Sequence, residues 1–221
     1  MKGMWRTKVF ADRFPLVGPT LWMLSLQYFI IQLAVAAAWA RPYSWLHNTI
    51  SDLGNTACGQ YGSRYVCSPH HSLMNASFIV LGATMLQGAM LIYHEFQRDR
   101  GTAVGFSFMA LAGLGTVLVG LFPENTIGSL HFVGALLPFF IGNLGIVILG
   151  ISLRAPDWLR AYSLVTGIIT LVALAFFITH RYLGFGIGGM ERLVGYPQTV
   201  WLIIFGIYIS ANRYRSRTRA R

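Results

Sequence analysis

Residues 17–55 decide the fold, and they read VGPTLWMLSLQYFIIQLAVAAAWARPYSWLHNTISDLGN. The apolar run from about Val17 to Ala40 is long enough to cross the roughly 30 Å hydrocarbon core of a bilayer as a helix. Because this run also exceeds the apolar core of a secretory signal, which is about 7–15 residues, we predict that it is retained as a membrane anchor. The polar group from His47 to Asn55 follows it, and we predict that the other segments form a membrane scaffold around that group.

The composition of the chain is that of a membrane protein. Of its 221 residues, 55% are hydrophobic and 11% are charged, whereas soluble domains carry about 25% charged residues. Apolar runs of membrane-spanning length recur along the chain and leave no room for a soluble domain. We therefore predict an all-α, single-domain bundle of six transmembrane helices, with a structured outer loop at 41–71 and spans near 17–39, 72–93, 102–122, 130–152, 160–179 and 196–212.

Lysine and arginine residues fall unequally on the two sides of this topology. Four of the 17 lie on one side, at Arg41, Arg64, Arg181 and Arg192. Because positive residues are enriched in cytoplasmic segments, the larger set on the other side predicts that both termini are inside. The net charge of +10 then reflects helix ends that contact anionic headgroups, so we predict membrane lipids as partners and no nucleic acid. The larger set comprises Lys2, Arg6, Lys8, Arg13, Arg98, Arg100, Arg154, Arg160, Arg213, Arg215, Arg217, Arg219 and Arg221.

The predicted outer loop contains both cysteines of the chain, Cys58 and Cys67. An oxidising exterior favours their pairing as a disulfide that closes the loop. One alternative is redox catalysis, which normally uses a Cys-x-x-Cys pair. Another is a zinc site that includes His70 and His71, but the spacing matches no strong ligand pattern. We therefore predict a structural disulfide, no metal and no cofactor.

Asp52 is the acidic residue that we select as a catalytic candidate. It is predicted to lie at or just inside the outer membrane boundary, where an ionisable side chain is costly unless it is paired or hydrated. The structural alternative is that Ser51 or Asp52 caps a short re-entrant helix, with Gly54 supplying the turn. Both interpretations stay open, because a capping side chain can also line a pocket. Ser51 and Asn48, beside it, are predicted to bind a ligand.

His131, at the start of the fourth predicted span, is the second catalytic candidate. A histidine at this position is either a buried hydrogen-bond partner or a group that transfers protons. An acid nearby favours proton transfer, and Asp52 and Glu124 are the acids available. We predict that Asp52 and His131 perform general acid–base chemistry and that Glu124 contributes to ligand binding.

A third polar group, between residues 180 and 192, precedes the last predicted span. The alternating glycines of Gly184–Gly189 predict a loop that folds tightly against the helix ends or brings its backbone close to a ligand. Arg181, Glu191 and Arg192 flank these glycines and are predicted to bind a ligand. An outward arginine can hold a lipid phosphate or a carboxylate in a fork of donors. The alternative is a salt bridge between loops, to one of the acids named above.

Several motifs of the chain resemble, in their order, the domain-of-unknown-function family 998 (DUF998), small polytopic membrane proteins of bacteria and archaea. The resemblance covers most of the chain. It implies a bundle of about six helices with its polar motifs on one side, in the plasma membrane of a prokaryote, and it implies no particular reaction. The motifs are Asn48-x-Ile50-Ser51-Asp52-Leu53-Gly54, Asn75, Phe122-Pro123, His131-x-x-Gly134-Ala135, Gly142-Asn143 and Gly188-x-x-Glu191-Arg192.

Two fainter similarities point to lipid chemistry. Residues 50–52 are similar to the Frag1 and DRAM group of six-span proteins, some of which are linked to lipid remodelling. Residues 48–51 are similar to a short segment of the alkaline ceramidases, which are metal-dependent hydrolases. Those enzymes need histidines and acids around zinc, and the histidines of this chain form no His-x-x-x-His pair. The similarity therefore does not extend to a zinc site.

Two functions from different classes are consistent with this sequence. The first is a membrane protein that binds or modifies a lipid or lipid-linked substrate through a polar pocket on the outer side. The second is a non-catalytic accessory or assembly subunit whose outer loops bind other membrane protein subunits. The sequence favours a transporter less, because it has no evident inverted repeat or pair of broken helices. For either function, we predict that His47–Asn55 faces His131 and the Gly184–Arg192 loop.

Overall fold

A computed structural model describes the backbone of residues 13–96 and 99–219 and the side chains of these ranges up to residue 214. Within these ranges, six helices are long and apolar enough to cross a membrane, which confirms the predicted all-α membrane fold. They are α1 (Val17–Ala37), α2 (His71–Ile92), α3 (Arg100–Leu121), α4 (Gly128–Ser152), α5 (Asp157–Ile178) and α6 (Gly186–Arg219). The inside location of the termini stays a prediction. Some of the residues behind it lie outside the described ranges: Lys2, Arg6, Lys8, Arg98 and Arg221.

The outer surface of the bundle is apolar, as a lipid environment requires. Leu33, Phe132 and Ile178, on three different helices, expose 60%, 62% and 57% of their surface. Large apolar side chains in contiguous exposed patches mark membrane or protein contacts. The exposed faces of the helices are therefore suited to contact with lipid chains.

Two of the helices are interrupted at defined places. Helix α1 consists of two segments, Val17–Met23 and Leu26–Ala37. Helix α4 changes to a π-helix at Leu137–Gly142, which includes Pro138. Proline lacks the backbone N–H and therefore removes one helical hydrogen bond. Short π segments occur frequently at functional sites, and Phe139 of this segment lines two cavities within the bundle.

Helix α6 begins at Gly186, well before the predicted start of the last span at 196. The glycines that predicted a loop form only a turn, in which Gly184 and Gly186 have φ angles of +86° and +65°. The N–H of Gly188, already in the helix, donates to the Leu46 carbonyl oxygen at 2.8 Å. The glycines therefore permit a close approach between α6 and the segment that follows α1, and the predicted loop is shorter than expected.

Glycines also bring α2 and α3 into backbone contact. A Cβ atom added at Gly113 of α3 would lie 2.6 Å from the carbonyl oxygen of Gly82 on α2. A Cβ added at Gly82 would likewise meet the carbonyl oxygen of Gly113. Small residues let helix backbones approach closely in a membrane, where dispersion contacts supply much of the association energy.

Gly113→Ala is expected to destabilise the bundle by about 1–3 kcal/mol, because overpacking of a tight contact forces the backbone to shift. The midpoint of thermal unfolding in detergent measures the loss. Gly128→Ala is the matched control, since a Cβ there meets nothing within 4 Å, and its midpoint should stay close to that of the unmodified protein. Equal midpoints for the two variants would contradict the packing role of Gly113.

A short β-hairpin lies in the connection between α1 and α2. Strands β1 (Gly59–Tyr61) and β2 (Arg64–Val66) pair in antiparallel orientation. Cys58 and Cys67 form the predicted disulfide beside the strands, which confirms that pairing. The hairpin thereby holds the β2 side chains in place. We refer to this end of the bundle as the hairpin end, and it also contains the connections 122–127 and 179–185.

Candidate functional site

The predicted polar group folds into a tight turn that continues as a 3₁₀ helix at Ser51–Gly54. Asp52 organises this turn, because its Oδ2 accepts the Thr49 N–H at 3.0 Å while its own N–H donates to Thr49 Oγ1 at 3.1 Å. Asn48 Nδ2 donates to the same carboxylate oxygen at 3.0 Å. The buried Asp52 side chain therefore shapes the backbone that carries Ile50 and Ser51.

Arg64 of the hairpin forms a bidentate ion pair with Asp52. Its Nε and Nη2 atoms lie 2.7 Å from Oδ2 and 2.7 Å from Oδ1 of the carboxylate. This planar pairing joins the hairpin to the 3₁₀ turn. Arg64 is missing from the predicted site residues, although its place between two cysteines that pair is a signal that its position is constrained.

Glu124, in the connection between α3 and α4, completes a group of three ionisable side chains. Its Oε1 accepts a hydrogen bond from Asn55 Nδ2 at 3.0 Å, and its Oε2 lies 3.7 Å from Arg64 Nη2. Burial, and then the charge of Asp52, raise the pKa of Glu124 to about 9. Burial also acts to raise the pKa of Asp52, but hydrogen bonds from Arg64 and Glu124 outweigh it and hold that pKa below its usual range.

These three side chains place one positive charge, that of Arg64, beside two carboxyl groups. One ionised carboxyl group is enough to balance this charge. Asp52 has the shorter contacts with Arg64, at 2.7 Å, against 3.7 Å for Glu124. Asp52 is therefore the carboxylate, and Glu124 keeps its proton and hydrogen bonds to Asp52. We interpret the contact between Arg64 and Glu124 as that of a cation with a neutral carboxyl group.

Ser51, His131 and Glu191 form a second polar group, on the side of the turn that faces α4 and α6. Ser51 Oγ lies 3.0 Å from His131 Nε2 and 3.1 Å from Glu191 Oε1. The other carboxyl oxygen of Glu191 accepts the Ile50 N–H. His131 Nδ1 lies 2.8 Å from the Phe122 carbonyl oxygen. The structure thus brings together three predicted site residues that come from three separate segments.

The predicted acid–base pair requires direct contact between Asp52 and His131. The structure does not bring these two side chains together. The oxygens of Asp52 accept hydrogen bonds from Arg64, Asn48 and Thr49, whereas the ring of His131 contacts Ser51. The reason is the 3₁₀ turn, in which adjacent side chains point in different directions. Asp52 faces the hairpin, and Ser51 faces the interior of the bundle.

The buried side chain of Arg192 donates its hydrogen bonds to other groups of the protein. Its Nη1 donates to the carbonyl oxygens of Trp45, Asn48 and Gly188, at 3.0, 2.9 and 2.8 Å. Its Nη2 donates to the Tyr43 hydroxyl, and the guanidinium lies 4.8 Å from the centre of the Trp45 ring. These contacts secure the segment after α1 to helix α6, and they account for the donors that we predicted would hold a ligand.

Arg181 is exposed in the connection between α5 and α6. Among the residues that the structure describes, its side chain meets neither polar group, so ligand binding by Arg181 stays a prediction. We considered a salt bridge from Arg181 or Arg192 to an acid of another loop; the acid Asp52 is instead paired with Arg64, from the same connection between α1 and α2.

A groove of about 290 Å³ opens beside both polar groups. Phe132 and Ile178, on its apolar wall, expose 62% and 57% of their surface, so the groove reaches the lipid-facing surface. Its polar end is formed by Ser51, Arg64, Glu124, His131 and Glu191. Its apolar wall is formed by Phe132, Leu136, Phe139, Leu174, Phe177 and Ile178.

A smaller cavity of about 50 Å³ lies on the other side of Ser51 and Glu191, toward the interior of the bundle. Tyr28, Gln198 and Thr199 also line it. Gln198 Nε2 is buried and has no hydrogen-bond partner in the described part of the chain. Most of its lining is apolar, so ordered water would fit only beside these few polar groups.

No group of three or more histidine, cysteine, aspartate or glutamate side chains is placed to hold a metal ion within residues 13–96 and 99–219. The absence of a metal or a cofactor stays a prediction of the sequence.

Comparison with known proteins identifies a family and no individual relative. No curated protein and no solved structure matches the chain, so the fainter similarity to Frag1 and DRAM proteins is not shown. A family model described as "Protein of unknown function (DUF998)" matches residues 23–208, a range that contains both polar groups and the groove. Because this match covers most of the 221 residues, the chain belongs to the DUF998 family, as its motifs predict.

Proposed function

We propose that this protein binds a membrane lipid, or a lipid-linked substrate, in the groove at the hairpin end. The observation that supports this proposal is the form of the groove, in which a polar end continues into an apolar wall that is open to the bundle surface. A lipid has the same two parts, a polar headgroup region and an apolar chain. A small polar ligand would use the polar end alone and leave Leu136 and Phe177 without a partner.

The charges at the polar end of the groove indicate which part of a lipid could bind there. Arg64 is balanced by Asp52, and Glu124 is protonated, since burial and the nearby Asp52 raise its pKa to about 9. Ser51 and His131 add hydrogen-bonding groups to the same surface. An isolated phosphate would favour an arginine whose donors are unpaired. The polar end therefore suits the ester, hydroxyl or sugar region of a lipid.

We infer a location in the plasma membrane of a prokaryote, with the hairpin end outside and both termini inside. The disulfide between Cys58 and Cys67 supports this orientation, because disulfides persist in oxidising compartments and are rare in the cytosol. The excess of lysine and arginine on the side of the termini supports it independently.

Filling the groove tests lipid binding. Leu136→Trp places an indole in the apolar wall and should reduce, several-fold, the lipid that the protein retains when it is purified in a mild detergent. Extraction and mass spectrometry of the retained lipid measure the change. Val133→Trp is the control, because Val133 lies on the same helix, is 49% exposed and does not line the groove.

The control variant should retain as much lipid as the unmodified protein. Equal lipid retention in the two tryptophan variants would contradict binding in this groove. An unmodified protein that retains no lipid would overturn the proposal and favour the accessory-subunit alternative.

A further inference from the structure

We propose that Ser51 is a nucleophile with His131 as its general base, and that this pair transfers the acyl group of a lipid ester held in the groove. The proposal rests on the lipid-binding function proposed above and adds a reaction to it. An acyl-transfer site needs a base that is held in one tautomer, a hydroxyl group whose proton faces that base, and space for the ester beside the hydroxyl group.

The Phe122 carbonyl oxygen holds His131 in one tautomer. A carbonyl oxygen only accepts hydrogen bonds, so the 2.8 Å contact with His131 Nδ1 requires a proton on that nitrogen. In the neutral ring, Nε2 is then a hydrogen-bond acceptor, and it lies 3.0 Å from Ser51 Oγ. The carbonyl group therefore orients the base, as the third residue of a catalytic triad does.

The Ser51 hydroxyl group lies between His131 Nε2 and Glu191 Oε1. The protonation states of these two neighbours determine to which of them Ser51 donates its proton. The hydroxyl group carries one proton. When it donates to the neutral imidazole, its contact with Glu191 requires a protonated carboxyl group that donates to Ser51. The other consistent state pairs an imidazolium with a carboxylate. In the first state, the Ser51 proton faces its base and the hydroxyl group is ready to attack.

The burial of Glu191 favours the first state. Glu191 is 5% exposed, and a buried ionised group is costly when it is not fully compensated. Its other oxygen accepts the Ile50 N–H, which fixes the carboxyl group against the turn. Glu191 is therefore a positioning residue, because it acts on the ester through Ser51.

The groove places Ser51 and His131 at a boundary between polar and apolar surfaces. Helix α4 continues from His131 to Ala135 and Phe139, which line the apolar part of the groove. Arg64 and Glu124 line its polar end. In a membrane lipid, the ester bonds lie at the corresponding boundary between the headgroup and the acyl chains. A lipid bound with its chain along α4 and α5 therefore presents an ester to this pair.

The reaction needs only water or an alcohol as its second reactant. Ser51 Oγ attacks the ester carbonyl carbon and forms a C–O bond while its proton moves to His131 Nε2. Collapse of the tetrahedral intermediate breaks the ester C–O bond, and the departing alkoxide takes the proton from Nε2. Water or an acceptor alcohol then attacks the acyl group on Ser51 and gives its proton to Nε2. Release of the acid or the new ester returns that proton to Ser51 Oγ.

A fluorophosphonate with a long alkyl chain tests the proposal, because it can enter the apolar groove and phosphonylate an activated serine with release of fluoride. The unmodified protein should form an adduct that peptide mass spectrometry places on Ser51. His131→Gln should slow the labelling by about 100-fold or more, the lower end of the contribution of a general base. Ser51→Ala should abolish labelling at this position. Ser72→Ala, on the exposed first turn of α2, is the control and should label like the unmodified protein.

Lipid retention is measured on the same preparations, so that the two proposals can fail separately. Retained lipid without an adduct on Ser51, or an adduct whose rate does not depend on His131, would overturn acyl transfer and leave lipid binding intact. Absence of retained lipid would overturn the proposed function and, with it, a lipid as the acyl donor. The adduct position in the unmodified protein requires no variant, so a folding defect of Ser51→Ala would not affect that result.

Discussion

Asp52→Asn is expected to reduce the stability of the bundle by about 3–5 kcal/mol, the usual cost of removing one partner of a buried ion pair. An amide cannot balance the guanidinium of Arg64, whose Nε and Nη2 lie 2.7 Å from the carboxylate oxygens. The variant therefore leaves Arg64 with only the longer contact, 3.7 Å, to Glu124, which would have to ionise in a buried position to replace the lost charge. In either orientation of the new amide, its NH₂ group would face a donor, which is Arg64 Nη2 at the Oδ1 position or the Thr49 and Asn48 N–H groups at the Oδ2 position.

Thermal unfolding of the purified protein in detergent measures this loss. A change of about 3 kcal/mol lowers the midpoint by roughly 6–12 °C in a chain of this size. Arg181→Gln is the control, since it removes an exposed arginine at the same end of the bundle, and its midpoint should hardly change. An unchanged midpoint for Asp52→Asn would contradict the role of the ion pair.

A double variant separates the ion pair from the other contacts of Asp52. Arg64→Met combined with Asp52→Asn removes both charges, so it should be less destabilised than the sum of the two single variants. Strict additivity would mean that the carboxylate stabilises the turn only through Thr49 and Asn48. The size of the non-additive part is therefore a direct measure of the pairing between the hairpin and the turn.

The membrane helices could be predicted because a bilayer imposes the same requirement on each of them, an apolar run of sufficient length. The predicted spans at 72–93 and 102–122 nearly coincide with α2 and α3. The start of α6 could not be predicted in this way. Glycine has a low helix propensity, and the contact that favours helix at Gly188 comes from Leu46, which is distant in sequence.

The polar residues of the site could be selected from the sequence, but their partners could not. The cost of an ionisable group near the membrane identifies Asp52 as a candidate, and the predicted position of Glu124 near His131 identifies the second acid. The cation that balances them depends on where the hairpin places Arg64, and sequence spacing does not specify that position. The contact of His131 with Ser51 depends on the direction of adjacent side chains in the 3₁₀ turn. Such a detail follows from the folded backbone alone.

Glu124→Gln is expected to stabilise the protein near pH 8 by about 2–4 kcal/mol and to have little effect at or below about pH 4.5. Burial, and then the charge of Asp52, raise the pKa of Glu124 from 4.5 to about 9. Below the lower value, the group is protonated in both the folded and the unfolded chain. Between the two values the unfolded chain releases the proton and the folded protein retains it, so stability falls by at most about 1.4 kcal/mol per pH unit as the pH rises. Glutamine has no proton to release and avoids this loss.

Unfolding midpoints of the unmodified protein and of Glu124→Gln, compared across this pH range, measure the effect. The amide of glutamine can donate to Asp52 and accept from Asn55, as the protonated carboxyl group does. Asp157→Asn is the control, because it removes a carboxylate that is 99% exposed, and its midpoint should differ from that of the unmodified protein by a constant amount.

The opposite result would change the chemistry of the groove. If Glu124→Gln were less stable than the unmodified protein near pH 8, Glu124 would be ionised there and paired with Arg64, 3.7 Å away. The polar end would then carry a net negative charge, since Asp52 already balances Arg64. Such a surface would favour a cationic headgroup over an ester or a sugar. The pH profile of one conservative variant therefore tests both the protonation of the carboxyl pair and the class of lipid that the groove can accept.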